Sequence, residues 1–349
     1  MIKPLKFTIE SMKSIEELEE ILSKPTSGLI KDIKAIKGDI IILGVAGKMG
    51  PSLAKLASRA VKEAGIEKKV IGVSRFSDDS LRIDLENHGV TCIAADLLDD
   101  DALQALPDAE NVIYMAGKKF GTTGQEHSTW AMNAYLPGRV ATKFKKSKII
   151  VFSSGNIYPF VHYASGGALE DTPPEPIGEY AQSCLGRERV FEYFSHQYNI
   201  PMLMYRLNYA IDLRYGNLLE IGKMVDSEKP IDLRSGHMNI IWQGDANEIA
   251  IRSLLHTSSP PKILNVTGPE TISIRQVAEK FGQLLNKKPV FVNEPEPKVL
   301  LNNASLCHQL FGYPSVSLLT MIEMTAQWIQ QDGATLNKPT HFQEREGKF

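Results

Sequence analysis

The sequence predicts a doubly wound α/β chain built on a parallel sheet, with a small, mostly helical C-terminal lobe and an N-terminal helical extension. Three observations carry that expectation. Between residues 38 and 210 short apolar runs rich in β-branched residues alternate with helical stretches. A glycine-rich turn directly follows the first run. The 349 residues suffice for such a core and a smaller second unit. Composition is ordinary, with 43% apolar and 23% charged residues, which argues against long disorder. The 39 basic and 41 acidic residues leave a net charge of −2, so no general field favours nucleic acid or an anionic membrane.

Residues 1–37 form the expected extension. Ser14 has the placement of a helix N-cap, with Glu17 three residues on and Ile15, Leu18 and Leu22 at helical spacing. Pro25 stops that helix, and a second amphipathic segment covers 29–36. The core, 38–210, begins with the apolar run 39–43, short and β-branched as a strand buried on both faces should be. The turn GVAGKMG at 44–50 comes next, then a helix over 51–64 carrying Leu53, Leu56, Ala57, Ala60 and Val61 on one side. Further strands are expected at 70–73, 91–94, 111–115, 148–152 and 201–206. The Pro- and Gly-rich stretch 159–178 leaves the end of a strand as a long loop, the usual place for a site. Residues 211–349 are expected to form the substrate lobe, interleaved with the last core elements. The segments 262–266, 273–285 and 318–330 are assigned to it, followed by the tail KPTHFQEREGKF.

In GVAGKMG, Gly44 permits the tight turn, Gly47 lets backbone approach a pyrophosphate, and Gly50 lets helix and strand pack closely. This is the Rossmann arrangement for a dinucleotide, whose phosphates sit on the N–H groups of the helix start. Met49 belongs to the same turn, and Lys48 is expected to add positive charge. The second strand ends in Ser74 and Arg75, where a site specific for NAD usually offers a carboxylate to the ribose 2′-OH. A hydroxyl and a guanidinium suit a 2′-phosphate instead, so NADP(H) is favoured over NAD(H). Asp78 and Asp79 come a few residues late. Asp96, followed by Leu97, is placed either to contact adenine or to cap the next helix.

With these motifs the chain resembles the extended short-chain dehydrogenase/reductases, the NAD(P)-dependent epimerase/dehydratase family, over roughly residues 39–330. GVAGKMG is similar to the family's glycine motif, and Ala95-Asp96-Leu97 to its adenine-side Asp. VIYMAG at 112–117, with Ala116 and Gly117, is similar to the strand and turn beside the nicotinamide. Asn133 matches the Asn of the family's central helix. VFSSGNIYPF at 151–160, GEYAQSC at 178–184 and RLNYA at 206–210 resemble the catalytic strand, the catalytic helix and the following substrate loop.

The resemblance implies that Tyr180 is the general acid/base and that Ser154 orients the substrate oxygen, with Ser153 the next candidate. A free tyrosine has a pKa of ~10 and needs a nearby cation to act as a base near neutrality. The family supplies a Lys one helical turn later, where this chain has Cys184, expected as a small buried residue. The replacement charge is therefore sought in Lys119, Lys118 or Arg187, the last equally able to pair with Glu188 or Glu192. Dehydratases of the family carry an Asp-Glu pair where Gly155 and Asn156 stand, which disfavours elimination of water. Nucleotide-sugar members place an Arg seven residues before the position of Asp245, where this chain has Met238. A nucleoside-diphosphate sugar is accordingly less expected, with Arg214 or Arg234 as substitutes for the missing charge. His162, Tyr163, Asn208, Arg214 and Trp242 are candidates for a polar, sugar-sized pocket.

The function expected is an NAD(P)-dependent oxidoreductase or epimerase acting on a hydroxyl or keto carbon of a carbohydrate-like substrate. The alternative is a catalytically inactive NADP-binding sensor or scaffold of the same fold. A homodimer through the helices after Asn133 and Tyr180 is implied, with Val190, Phe191 and Phe194 as apolar surface or, equally, packed inward. Cys92, Cys184 and Cys307 are too scattered for a disulfide framework or a metal knuckle, and the eight histidines show no HxxxH or HxH spacing. No metal is expected. With no apolar stretch near the ~20 residues of a membrane helix and no signal-peptide pattern, the chain is expected to be cytoplasmic.

Overall fold

β1 (Ile40–Leu43) consists of three isoleucines and a leucine, and all four are buried. Successive strand residues point to opposite faces. Ile40 and Ile42 accordingly enter one hydrophobic core, and Ile41 and Leu43 another. A strand buried on both faces belongs in the middle of a parallel sheet. The computed structural model, which describes residues 14–119 and 121–348, places β1 there. Around it stand β2 (Val70–Ser74), β3 (Thr91–Ala94), β4 (Asn111–Tyr114), β5 (Lys148–Ser154), β6 (Met202–Leu207) and β7 (Lys262–Val266). Their order across the sheet is β7-β6-β5-β4-β1-β2-β3, and every pairing is parallel. The order reverses between β1 and β4, which opens the crevice above the strand ends where α/β proteins hold ligands.

Residues 262–266, expected in the C-terminal lobe, are the seventh strand of the main sheet instead. Leu264, Asn265 and Val266 are buried against β6. The chain thus returns to the core after building part of the second lobe. That lobe has its own core, including Leu218, Ile221, Trp242, Phe281, Met321 and Trp328.

The N-terminal extension packs on both units. α1 (Ile15–Leu22) is capped by Ser14, which accepts from Glu17 N, and buries Leu18 and Leu22 in the second core. α2 (Ser27–Ala35) starts at Thr26 and buries Leu29 and Ile33 in the first. Glu19 of α1 bridges Lys55 at 3.2 Å and Arg214 at 2.6 Å. Residues 1–13 of the extension lie outside the described residues. On the opposite face of the sheet, α5 (Leu136–Lys143) and α6 (Gly178–Tyr198) cover the third core; the intervening α3 (Gly50–Ala64) and α4 (Asp79–Asn87) flank β2. Of the residues offered either to a partner or to the interior, Phe191 is fully buried in that core, and Val190 and Phe194, half-buried, lie against Gly138 of α5.

If α1 is a structural clamp, Leu22→Ala leaves a cavity in the second core and lowers the unfolding free energy by about 2–5 kcal/mol. Urea denaturation should show a lower midpoint with an unchanged slope.

Candidate active site

The glycine turn closes tightly against the neighbouring strand. Gly44 has φ +90°, and a Cβ there would stand 2.7 Å from Ala116 N; one on Gly50 would stand 2.2 Å from Val45 O. α3 therefore starts hard against the end of β1. Its N-cap, Met49, makes no side-chain hydrogen bond, so the first-turn N–H groups are left for an anion. Gly47 is exposed beside them. Ser74 is half-buried and Arg75 exposed at the end of β2. Asp78 is engaged as the N-cap of α4, accepting from Ser80 N. Asp96 is exposed and accepts from Leu98 N in a tight turn, while Asp99 caps the helix that follows. These residues fit a dinucleotide laid over the crevice.

Three residues of this region have other places than expected. Met49 and Leu97 are buried in the cores on opposite faces of the sheet. Lys48 turns toward the second lobe: Nζ donates to Ala210 O at 2.7 Å and lies 3.9 Å from the centre of the Tyr215 ring. Burial lowers its pKa to about 7 despite Asp212 nearby. A long side chain on a turn follows the nearest acceptor, and here that acceptor lies away from the end of β2.

β5 ends in Ser153 and Ser154, and Tyr180 lies on the first turn of α6. The Tyr180 hydroxyl is hydrogen bonded to the side chains of Ser154 and Cys184. Burial pushes the phenol well above its ordinary pKa, with the Arg187 charge opposing the shift. Ser154 also accepts from Asn156 N at 3.2 Å. Ser153, on the other face of the strand, is buried, and its hydroxyl has no hydrogen-bond partner. Cys184 is fully buried beside Ile157, Tyr158 and Ala168, and burial raises its thiol pKa. It is a neutral core residue in contact with the phenol.

The three candidate cations separate. Arg187 is 6% exposed; one guanidinium nitrogen donates to Phe152 O and another to Asn133 Oδ1, each at 2.7 Å. Neither Glu188 nor Glu192 holds it: Glu188 pairs with Arg206 at 2.8 Å and Glu192 with Arg189. Asn133 Oδ1 accepts from Lys118 N, and Nδ2 donates to Lys118 O and to Ser183 Oγ, all at 2.9 Å. Gly117 packs under the same guanidinium, where a Cβ would come within 2.5 Å. The Lys118 side chain turns aside to Ser128 Oγ at 3.2 Å. Lys119 Nζ lies 5.7 Å from the centre of the Tyr180 ring, and burial lowers its pKa to about 8.

On the substrate side, a cavity lies between Asn156, Tyr158 and Ile177 of the core and Asn217, His237 and Met238 of the second lobe. Residues 341–347 form its third wall, which no motif announced. None of the five residues expected in a sugar pocket is among the described residues that line it. Trp242 is 2% exposed in the second core, because its short strand pairs with Ala210–Ile211 and turns the indole inward. Arg214 is tied to Asp212 and Glu19, and Arg234 to Asp232. Asn208 is buried and donates to Asn239 Oδ1 at 2.8 Å. His162 is exposed, accepts from Ala164 N, and stacks on Tyr163, which stacks in turn on His237.

Residues 40–211 match the sequence profile of the NAD dependent epimerase/dehydratase family. No curated protein matches the sequence. Among solved structures, UDP-glucuronic acid 4-epimerase from Bacillus cereus in complex with NAD is similar at 20% identity and a TM-score of 0.67. Pal from Bacillus thuringiensis is similar at 16% and 0.68, and UDP-glucose 4-epimerase from Thermotoga maritima with UDP-glucose at 16% and 0.66. Each match covers 84% of this chain and 99% of the other. At these identities the likeness establishes a common fold.

Arg187→Met removes two buried, charge-assisted hydrogen bonds and should cost about 3 kcal/mol of stability. Arg187→Lys should recover less than half of that, since an ammonium cannot fork between two acceptors. Urea unfolding of both variants measures the difference.

Proposed function

We propose, from the match of residues 40–211 to the NAD dependent epimerase/dehydratase family, that this chain is an oxidoreductase or epimerase acting on a hydroxyl or keto carbon of a carbohydrate-like substrate. The observation that carries this reading is the Tyr180 hydroxyl, hydrogen bonded to Ser154 at the end of β5 with Lys119 beside the ring. A nicotinamide dinucleotide, when bound, supplies or accepts the hydride. Gly44, Gly47, Gly50 and the start of α3 would hold its phosphates, Ser74, Arg75 and Asp96 the adenosine end, and Ala116 and Gly117 the nicotinamide end.

The chain handles the proton. With its pKa raised, Tyr180 is protonated near neutrality and donates to a carbonyl oxygen that is being reduced. In the oxidation direction it must accept the hydroxyl proton, and a nearby positive charge makes that possible. Arg187 contributes a fixed charge from below, and Lys119 a titrating one. Ser154 holds the substrate oxygen at the phenol. An epimerase uses the same groups twice, with the hydride returned to the other face of the carbonyl.

NADP(H) over NAD(H) is supported by Ser74 and Arg75, with no carboxylate at the end of β2; the Lys48 ammonium is engaged by Ala210 O. A homodimer through α5 and α6 rests on Tyr135 and Tyr193, each 61% exposed, now that Phe191 is placed inside. Three free thiols accord with a cytoplasmic setting, and no described helix is long and apolar enough to cross a membrane. The buried thiol at position 184 is the observation that favours an inactive cofactor sensor instead.

Tyr180→Phe separates the two readings: turnover should fall by about 10²- to 10⁴-fold while cofactor affinity is kept. A sensor would show no turnover to lose. Lys119 loses its charge as the pH rises through about 8, so alcohol oxidation should decline above that pH. Lys119→Arg should move the decline upward, because guanidinium stays charged. Arg75→Ala should weaken NADPH binding about tenfold or more and leave NADH unchanged, as read by cofactor fluorescence.

A further inference from the structure

The match to the family begins at residue 40, which leaves α1 outside it. This helix nevertheless borders the cleft assigned to the cofactor. A cavity of about 850 Å³ has Gly47, Lys48 and Ser52, from the glycine turn and the first turn of α3, on one side and Ile15, Glu16 and Glu20 of α1 on another. Asp78, four residues beyond Ser74 at the start of α4, lines it as well. The volume lies within the roughly 300–1,000 Å³ typical of cofactor and small-molecule sites. The N–H groups left for the phosphates at the start of α3 therefore adjoin a space that α1 helps to enclose.

α1 is fastened on both sides of that space. Leu18 and Leu22 are buried in the second core. Glu19 joins Lys55 of α3 at 3.2 Å to Arg214 of the second lobe at 2.6 Å, and Lys55 also meets Asp84 of α4 at 2.7 Å. The Lys55 side chain is 6% exposed, those of Arg214 and Glu19 14% and 19%. Ion pairs this enclosed resist separation, because each partner left alone is poorly solvated. The neighbouring pair of Glu20 with Arg59 is more exposed and contributes little. Glu19 is thus the residue that holds α1, α3 and the second lobe at one spacing. A dinucleotide seated on the turn has α1 beside it, and the fixed helix narrows its way out.

We propose that α1 is a wall of the cofactor site that slows exchange of the dinucleotide, with Glu19 as the positioning residue that fixes the wall. This rests on the glycine turn as the seat of the dinucleotide's phosphates. Glu19 touches no reacting atom and acts through Lys55 and Arg214. A wall of this kind slows entry and exit together, so loosening it changes the rate of release more than the affinity.

The test is a chase: full chain loaded with NADPH is mixed with excess NADP⁺, and release is followed by the loss of bound-cofactor fluorescence. Glu19→Gln keeps the shape and removes the charge; release should become at least about tenfold faster, while the NADPH Kd changes by less than about threefold. Ile15 is 41% exposed, so its replacement spares the cores and serves even if Glu19→Gln fails to fold. Ile15→Trp narrows the cavity and should slow release by about threefold or more. Release within about twofold of the parent chain in every variant that folds overturns the proposal, as does faster release matched by an equal loss of affinity, which marks a lost contact and not a wall. A full chain that binds neither NADPH nor NADH overturns the cofactor reading and the proposal with it, a result distinct from unchanged release by a chain that binds.

Discussion

The site depends on one buried contact, the guanidinium of Arg187 set between Phe152 O and Asn133 Oδ1. Arg187 is on α6, which carries Tyr180; Phe152 is on β5, which ends in Ser154; Asn133 holds both backbone groups of Lys118 and so places the Lys118-Lys119 turn. Three elements distant in sequence are fixed by one side chain. A charge in an apolar interior is costly unless its donors are satisfied, so displacing any element raises the energy of the whole node. The same guanidinium lowers the cost of ionising Tyr180, which means that structural and electrostatic support come from one group.

The loss of the family's Lys is intelligible on these terms. Cys184 packs among Ile157, Tyr158 and Ala168, and an ammonium there would sit close to Arg187. With one positive charge already buried beneath the tyrosine, a second from the same helix would add repulsion. Lys119 brings its charge from a turn on the other side, at a position where burial lets it titrate near physiological pH. On the proposed reading, a titrating Lys119 would act on the tyrosine beside the fixed charge of Arg187.

Much of this was legible in the sequence, and what was missed follows a pattern. Strands β1 to β6 could be read because buried parallel strands are short apolar runs, and the glycine turn because its spacing is dictated by a helix that starts against a strand. Segment 262–266 was assigned to the wrong unit, since nothing within five residues states which sheet a strand will join. Ser154 was legible from VFSSGNIYPF, and Tyr180 and Cys184 from GEYAQSC. The partners of Arg187 were not: Glu188 and Glu192 are near in sequence, whereas Phe152 and Asn133 are near only in the fold. Lys48 and Arg214 have long side chains whose direction is set by partners remote in sequence, Ala210 O and Glu19. Trp242 was misplaced because an indole suits a pocket wall and a core equally. The wall built by residues 341–347 follows no periodic pattern, and only the packing of Phe342 and the bonds of Arg345 give it a position.

The central claim is that Lys119, held opposite a fixed Arg187, replaces the missing lysine as the cation serving Tyr180. A crystal structure with the nicotinamide cofactor bound tests it most directly. The account predicts Lys119 Nζ within about 4–6 Å of the Tyr180 hydroxyl, the range in which one charge controls another's ionisation, and Arg187 still on Phe152 O and Asn133. Lys119 turned out to solvent, with no cation in that range of the phenol, would contradict it.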